Sequence, residues 1–344
     1  MKAIIMAGGE GRRLKPVTGD TPKPLAMLCG RPIMEHIILL LKKHGITDIC
    51  CALKYRAQDI KDCFGDGERL GVRLQYRVEE SALGTAGGVK NCADFYKDED
   101  FLVISGDAAC DFDLSEMIAA HKSRKAAATI ALFPEAEPLR YGLALCDREG
   151  YIRSFIEKPD WGRVVTNLVN TGIYILTPRA MQLVPQGKEF DFAKDLFPAL
   201  LDGGEKLLGF QAEGYWCDIG TPRSYYECCA DALAGRFNIS LAGGFEAATE
   251  LPAAKPRSGM ENADCVCCDR ARLMDRISCA FLGLGAEYSD GFLFRGGDYE
   301  LRIEALPDSA AVRISANASD TETAGQLVSS ASALVRELEK RLDN

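Results

Sequence analysis

Five apolar residues, 3–7, run without a break into Gly8-Gly9-Glu10-Gly11. A short uninterrupted apolar run is what a strand buried on both faces requires. Glycines at its end let the backbone turn sharply and bring N–H groups close to a ligand. Arg12, Arg13 and Lys15 follow at once, and Thr21-Pro22-Lys23-Pro24-Leu25 lies about ten residues on. Donor groups and positive charge at one point suit a polyphosphate. A plain strand-turn with a solvated basic tail is the alternative that the loop alone leaves open. A P-loop is excluded because no Gly-Lys-Ser/Thr follows, and a dinucleotide fingerprint because the glycine spacing is wrong.

Gly-Gly-x-Gly-x-Arg-Leu-x-Pro followed by Pro-Lys-Pro-Leu resembles the signature of the sugar-1-phosphate nucleotidyltransferases, or nucleotide-sugar pyrophosphorylases. The resemblance implies that Ala7, Gly8, Gly9 and Gly11 bind the nucleotide. It implies too that Arg13 and Lys23 are catalytic cations that neutralise the triphosphate. Arg12 stands where the family usually has Thr or Ser, which takes that position's nucleotide contact out of the expectation.

The 344 residues allow one large domain and a small one. A net charge of −9 argues against non-specific nucleic-acid binding, which needs a basic face. The longest apolar run, 37–41, ends at Lys42-Lys43 and is too short to span a bilayer. With a strand instead of a signal peptide at the start, the expected compartment is the cytoplasm. The fourteen cysteines include two adjacent pairs and Cys265-x-Cys267-Cys268, which has no second pair at zinc spacing. They read as buried thiols, because free cysteine behaves as a small apolar residue.

Strand and helix patterns alternate through the first 134 residues. Helices are expected over 32–45, 57–64, 87–95 and 114–125. Strands are expected over 46–53, 74–78, 101–105 and 127–133. Such alternation predicts a mostly parallel sheet covered on both faces, with ligands at the carboxyl ends of its strands. Shorter strands follow at 142–146, 152–157, 170–176, 207–211 and 215–218, with helices at 192–201 and 222–234. Residues 241–262, rich in Ala, Gly, Glu and Pro, read as a linker. Beyond it, strands at 291–294, 300–306 and 310–317 and a helix at 321–342 suggest a small α+β layer. The fold class expected is α/β, a Rossmann-like three-layer domain over 1–240 with a mostly parallel, mixed sheet, plus an α+β domain over 263–344.

Two aspartates stand at strand ends far apart in sequence. Asp107 closes a buried strand as Ser105-Gly-Asp-Ala, and Asp218 lies in Trp216-Cys-Asp-Ile-Gly-Thr-Pro222. Either could cap a turn, and either could hold Mg²⁺, which usually takes one or two carboxylates plus phosphate oxygens. Asp111 and Asp113 read as caps of the following helix. The second string resembles the family's Trp-x-Asp-Ile/Val-Gly-Thr-Pro motif, which implies that both Asp107 and Asp218 are Mg²⁺ ligands. Between them, Tyr141-Gly142, Glu157-Lys158-Pro159 and Asn170-Thr171-Gly172 resemble, in the family's order, its sugar-phosphate motifs. Glu157 and Asn170 suit sugar hydroxyls, and Lys158 suits a phosphate.

Glu79-Glu80-Ser-Ala-Leu-Gly84-Thr85-Ala-Gly87 resembles the family's base-reading loop, placing Gly84 and Thr85 at the nucleotide. Relatives that use uridine or thymidine triphosphate tend to carry Gln before this glycine. A carboxylate, by contrast, accepts the two adjacent N–H donors of guanine. Glu80 is the residue expected to do so, with Glu79 in reserve. Together the motifs imply a Mg²⁺-dependent transfer of a nucleotidyl group from a triphosphate, GTP favoured, to a sugar 1-phosphate, mannose 1-phosphate favoured. Uridylyl, thymidylyl or heptose-phosphate guanylyl transfer remains open, as does a noncatalytic nucleotide-sugar-binding subunit. The expected partners are the two substrates, with no nucleic acid and no membrane, and a homodimer as the assembly to test. The tail faintly resembles the last domain of phosphohexomutases around 266–276. It lacks the mutase phosphate loop near 306–310, so it reads as noncatalytic.

Overall fold

The computed structural model describes residues 1–136, 138–158, 164–238, 258–266, 292–296, 299–305 and 311–340, and positions 273, 276, 277, 280, 287 and 288. Two compact units emerge: Met1–Gly9 with Ile37–Asp218, and Glu10–His36 with Ile219–Asn344. The units therefore divide elsewhere than composition suggests. Residues 10–36, which contain most of the signature, cluster with the C-terminal part of the chain.

Strands run in chain order from β1 (Lys2–Ala7) through the two-residue ribbon β2 (Met27–Leu28) and β3 (Arg31–Pro32) to β4 (Asp48–Leu53) and β5 (Arg73–Val78). Then come β6 (Phe101–Ser105), β7 (Ala108–Cys110), β8 (Ala128–Pro134), β9 (Gly142–Cys146) and β10 (Ile152–Glu157). The first unit ends with β11 (Leu168–Leu176), β12 (Leu207–Gln211) and β13 (Trp216–Asp218). Among the described residues its main sheet has nine strands, with a path of β10-β9-β11-β6-β1-β4-β5 and with β8 and β12 joined through β11. β6, β1, β4 and β5 are parallel, with Ile4 opposite both Cys50 and Val103. β11 runs antiparallel to β6, β8 and β9, so the sheet is mixed as well as mostly parallel.

Helices cover this sheet where periodicity places them: α2 (Ile33–Lys43), after the single turn α1 (Lys15–Thr18), and α3 (Ala57–Phe64). Ile33, Ile37, Leu40 and Leu41 of α2 are buried, which is one apolar helix face at spacings of three and four. The single helix expected over 87–95 is two: α4 (Gly84–Lys90) and α5 (Ala93–Tyr96). α6 (Leu114–Arg124) starts at Asp113, whose Oδ1 accepts the N–H groups of Ser115 at 2.9 Å and Glu116 at 3.1 Å. Asp111 is not a second cap. Its Oδ1 accepts the Tyr215 N–H at 2.7 Å and so holds the strand that leads to Asp218. The helix expected over 192–201 opens as a π-turn, Phe192–Leu196, and continues as α7 (Phe197–Asp202).

In the second unit, α8 (Pro222–Leu233) opens with a reciprocal cap between Thr221 and Ser224. A five-stranded antiparallel sheet follows, built from β14 (Ser258–Val266), β15 (Glu287–Tyr288), β16 (Phe292–Gly296), β17 (Tyr299–Ala305) and β18 (Ala311–Ser319). Its order is β14-β18-β17-β16-β15. Residues 258–262, read as linker, are instead paired in register with β18, Ser258 opposite Ser319 and Asn262 opposite Ser315. Residues 241–257 and 306–310 lie outside the described residues. α9 (Thr321–Lys340) buries Ala324, Leu327, Val328, Ala331 and Val335, and Asp320 caps its start through the Thr323 N–H at 2.7 Å. Among the described residues no helix is long and apolar enough to cross a membrane.

Candidate active site

The parallel strands β1, β4, β5 and β6 end at one edge of the first unit's sheet, and a cavity of about 350 Å³ opens there. Gly8 and Gly9 line it after β1, Lys54 after β4, Glu79 after β5, and Ser105 and Asp107 at and after β6. The remaining wall is the loop into α4, with Leu83, Gly84, Thr85 and Gly88, and Asp191 opposite it. Lys54 and Asp191 carry charge into the cavity and were not singled out from sequence. Lys54 follows a parallel strand directly, and that position was the signal available for it.

The loop expected to read the base is held by backbone contacts at Gly84, Ala86 and Gly87 and by the Thr85 hydroxyl. Gly84 has φ +69°, and a Cβ there would lie 2.6 Å from the Phe190 carbonyl oxygen. That oxygen accepts the N–H groups of Ala86 at 2.9 Å and Gly87 at 3.0 Å, so only glycine admits so close an approach. The Thr85 hydroxyl donates to Asp191 Oδ2 at 2.8 Å and accepts the Phe192 N–H at 2.9 Å. Thr85 thus lines the cavity with its hydroxyl already engaged. Of the two glutamates the structure brings Glu79 to the cavity, half-buried, against the helix turn at Gly88. Burial raises its carboxyl above the ordinary range, against the Leu83 N–H and Lys54, which lower it. Glu80 is exposed and is not part of the lining.

The segments that carry Asp107 and Asp218 are joined by a ribbon that the sequence hides. β7 and β13 pair antiparallel, with Asp218 opposite Ala108 and Trp216 opposite Cys110. Asp218 is thereby brought beside the residue that follows Asp107. The Ser105 hydroxyl donates to Asp107 Oδ1 at 2.6 Å and fixes that carboxylate. The Gly106 N–H donates to the Met6 carbonyl at 2.8 Å, and a Cβ on Gly106 would lie 2.9 Å from the same oxygen.

The residues expected at the sugar phosphate form a second group, on β9, β10 and β11. Glu157 is opposite Gly142, and a Cβ on Gly142 would lie 2.8 Å from Glu157 Oε2 and 4.0 Å from Asn170 Cβ. Asn170 Oδ1 accepts the Gly172 N–H at 3.0 Å. Gly172 has φ +79°, and a Cβ there would lie 3.3 Å from Ser105 Cβ, so this group abuts the end of β6. Lys158 is exposed at φ +42°, with Nζ 3.7 Å from Glu157 Oε1, and its N–H donates to the Tyr141 carbonyl at 3.2 Å. Pro159 lies outside the described residues. The Tyr141 ring meets Trp216 edge-on at 5.2 Å. Burial and the nearby negative charge of Asp218 push its phenol up to about 12, so it stays a neutral donor.

In the second unit the signature loop is ordered on its own. Gly11 has φ +64°, and a Cβ there would lie 2.8 Å from Lys23 Cβ, so glycine seats the lysine stem. Lys23 is 7% exposed. Glu10 accepts from Arg12 Nε at 2.6 Å and Lys15 Nζ at 3.2 Å, which answers the departure at Arg12: its guanidinium is engaged within the loop. Arg13 is exposed and pairs with no acidic side chain among the described residues. No group of three or more His, Cys, Asp or Glu side chains suited to a metal occurs among the described residues. The described cysteines are free thiols.

Comparison with known proteins bears on the same stretch. Residues 2–235 match the profile of the nucleotidyl transferase family. A UTP–glucose-1-phosphate uridylyltransferase of Synechocystis sp. is 35% identical over 257 residues, covering 71% of this chain and 66% of that protein. A mannose-1-phosphate guanylyltransferase of Mycobacterium tuberculosis is 32% identical over 234 residues, covering 68% and 65%. The alignments thus span just under two thirds of these relatives' own lengths. Among solved structures, HddC from Yersinia pseudotuberculosis complexed with GMP-PN superposes with a TM-score of 0.59 at 30% identity, over 67% of this chain and 99% of that one.

Proposed function

The chain belongs to the nucleotidyl transferase family, and from that premise we propose that it is a sugar-1-phosphate nucleotidyltransferase that joins a nucleoside triphosphate, GTP preferred, to a sugar 1-phosphate, mannose 1-phosphate preferred. The observation that supports the reading is the β7–β13 ribbon, which pairs Asp218 with Ala108, the residue after Asp107, and Asp107 lines the glycine-lined cavity. The donor set fits Mg²⁺. Two carboxylates would leave the remaining coordination to phosphate oxygens and water, as Mg²⁺ usually has it. Asp107 and Asp218 would hold the ion, whose chemistry there is to neutralise charge on the phosphates.

The chain's own residues do the rest. A sugar-phosphate oxygen attacks the α-phosphorus. A new P–O bond forms there as the bond to the β-phosphate bridging oxygen breaks, and pyrophosphate leaves with that electron pair. The attacking phosphate is already an anion, so no protein base is required, and positioning with charge neutralisation supplies the rate. The family signature gives Arg13 and Lys23 the triphosphate. Glu157, Asn170 and the Gly142 backbone take the sugar, Lys158 its phosphate, and neutral Tyr141 donates a hydrogen bond. Ala7, Gly8, Gly9 and Gly11 supply the close backbone to the nucleotide, with Gly84 fixing the base loop. Glu79 supports GTP: an ionised carboxylate accepts both guanine N–H donors and repels pyrimidine carbonyls. The relatives' names, one a guanylyltransferase and one a uridylyltransferase, support nucleotidyl transfer to a sugar 1-phosphate and leave the choice of base to rest on Glu79.

The test is pyrophosphate release across a panel of triphosphates and sugar phosphates, for the wild type and for Asp107→Asn and Asp218→Asn. Each substitution is expected to lower kcat by a factor on the order of 10² or more, with melting temperature nearly unchanged. Turnover near the wild-type rate in either variant refutes the metal assignment, and a wild type inert on the whole panel refutes the activity.

A further inference from the structure

Within the second unit, α8 carries two consecutive tyrosines that face different neighbours. The Tyr225 hydroxyl donates to the Met27 carbonyl at 2.6 Å, across 198 positions of sequence. Its ring meets that of Tyr226 edge-on at 5.0 Å, and Tyr226 meets Phe292 of β16 edge-on at 4.5 Å. Tyr225, Tyr226 and Phe292 are 0%, 2% and 0% exposed. Aromatic pairs of this geometry add directional energy to their apolar burial. A buried phenol usually needs a partner for its hydroxyl, and here that partner is a backbone oxygen of the signature segment.

Met27 stands at a point where the frame around Lys23 is fixed. The turn Lys23–Leu25 is closed by the Ala26 N–H on the Lys23 carbonyl at 3.0 Å. The Ala26 carbonyl accepts the Ile33 N–H at 2.8 Å, and His36 Nε2 donates to the Leu28 carbonyl at 2.7 Å. Burial keeps that histidine's pKa low, so it holds its single proton. The bonds on both sides of Met27 come from within residues 10–36. The bond to Met27 itself comes from α8, which is packed in turn on the C-terminal sheet.

We propose that Tyr225 and Tyr226 are positioning residues for Lys23, and that through them the C-terminal sheet sets the catalytic competence of the signature loop. The sheet is then a brace for the reaction, although it contributes no group to the reacting atoms. This inference rests on the reading of Lys23 as the triphosphate cation.

The test uses the full chain and four variants: Lys23→Met, Tyr225→Phe, Phe292→Leu and the double variant Lys23→Met/Tyr225→Phe. Tyr225→Phe removes one hydroxyl and keeps the ring, and Phe292→Leu keeps apolar volume while removing the aromatic edge. Loss of one buried hydrogen bond that acts in the transition state is expected to lower kcat roughly tenfold. KM for the sugar phosphate is expected to stay unchanged, and Phe292→Leu to move kcat in the same direction. The double variant is expected to be no slower than Lys23→Met alone, because Tyr225 acts through Lys23. A purely structural role would instead add its loss on either background, and that additivity overturns the proposal. So does a Tyr225→Phe kcat within twofold of wild type while Lys23→Met is severely impaired. If Lys23→Met itself turns over normally, the reading of Lys23 fails, a result separate from the failure of the brace.

Discussion

Burial holds the Glu79 carboxyl above the ordinary carboxylate range, and two opposite pH dependences follow. For stability, the raised value means that the fold favours the protonated form. Its contribution is present at low pH and is lost as pH rises through the folded value. For base selection the sign reverses, because only the ionised form accepts both guanine N–H groups. Preference for GTP over UTP is therefore expected to weaken as pH falls through that raised value, at a pH where an ordinary glutamate would still be ionised. Glu79→Gln is expected to cut the preference by roughly ten- to a hundredfold, the cost of about 1–3 kcal/mol for a mispaired polar group, and to leave it flat with pH. Glu80→Gln is expected to change it little, since Glu80 is exposed outside the cavity. The measurement is kcat/KM for each triphosphate from pH 5 upward, and equal use of both by the wild type would end the assignment. The sequence offers two adjacent glutamates and favours Glu80, whereas the fold brings Glu79 into the cavity lining, a difference set by the path of the chain after β5.

The ribbon of β7 and β13 is only three residues on each side, and its register does the positioning. Asp111 and Gly214 keep that register. The Asp111 carboxylate accepts the Tyr215 N–H, and a Cβ on Gly214, at φ +110°, would lie 2.5 Å from Asp111 Oδ1. Asp111→Ala strands a backbone donor at a cost of about 1–3 kcal/mol. It is expected to lower kcat by reducing the share of molecules with Asp218 in register, and extra Mg²⁺ is expected to recover part of the loss. A variant with wild-type kcat at limiting Mg²⁺ would show that Asp111 only holds the strand. Long periodic elements were legible in the sequence: α3, β6, β9, β10 and β12 fall where apolar spacing puts them. β7 is too short to show a period. β14 reads Ser-Gly-Met-Glu-Asn-Ala-Asp-Cys-Val, with a single β-branched residue, so its strand character comes from pairing with β18 and not from its own composition. The positions expected to carry chemistry are read from motifs. Lys54 and Asp191 lie in no motif: Lys54 is marked only by following a parallel strand, and Asp191 reaches the cavity through its pairing with Thr85, which only the fold provides.

At the scale of the whole molecule, composition suggested a front domain, a linker and a tail, whereas contacts join residues 10–36 to the C-terminal part. A chain cut near residue 240 therefore does not merely lose an appendage. Tyr226, 2% exposed beneath Phe292, would be uncovered together with neighbouring apolar surface of α8. Such a chain is expected to bind an apolar fluorescent dye and to melt well below the intact protein, with kcat reduced more than the affinity for nucleotide. Full activity and no dye binding would show that the tail is dispensable. The bond between Tyr225 and Met27 has one more consequence, which concerns time. At roughly 5–20 residues per second of synthesis, the 198 positions between them take about 10–40 s to emerge from a ribosome. Through that interval the signature loop exists without the hydroxyl that closes its frame. A nascent chain can thus pair its early strands long before the hydroxyl that the proposed brace requires exists, because Tyr225 arrives only when about two thirds of the 344 residues have been made.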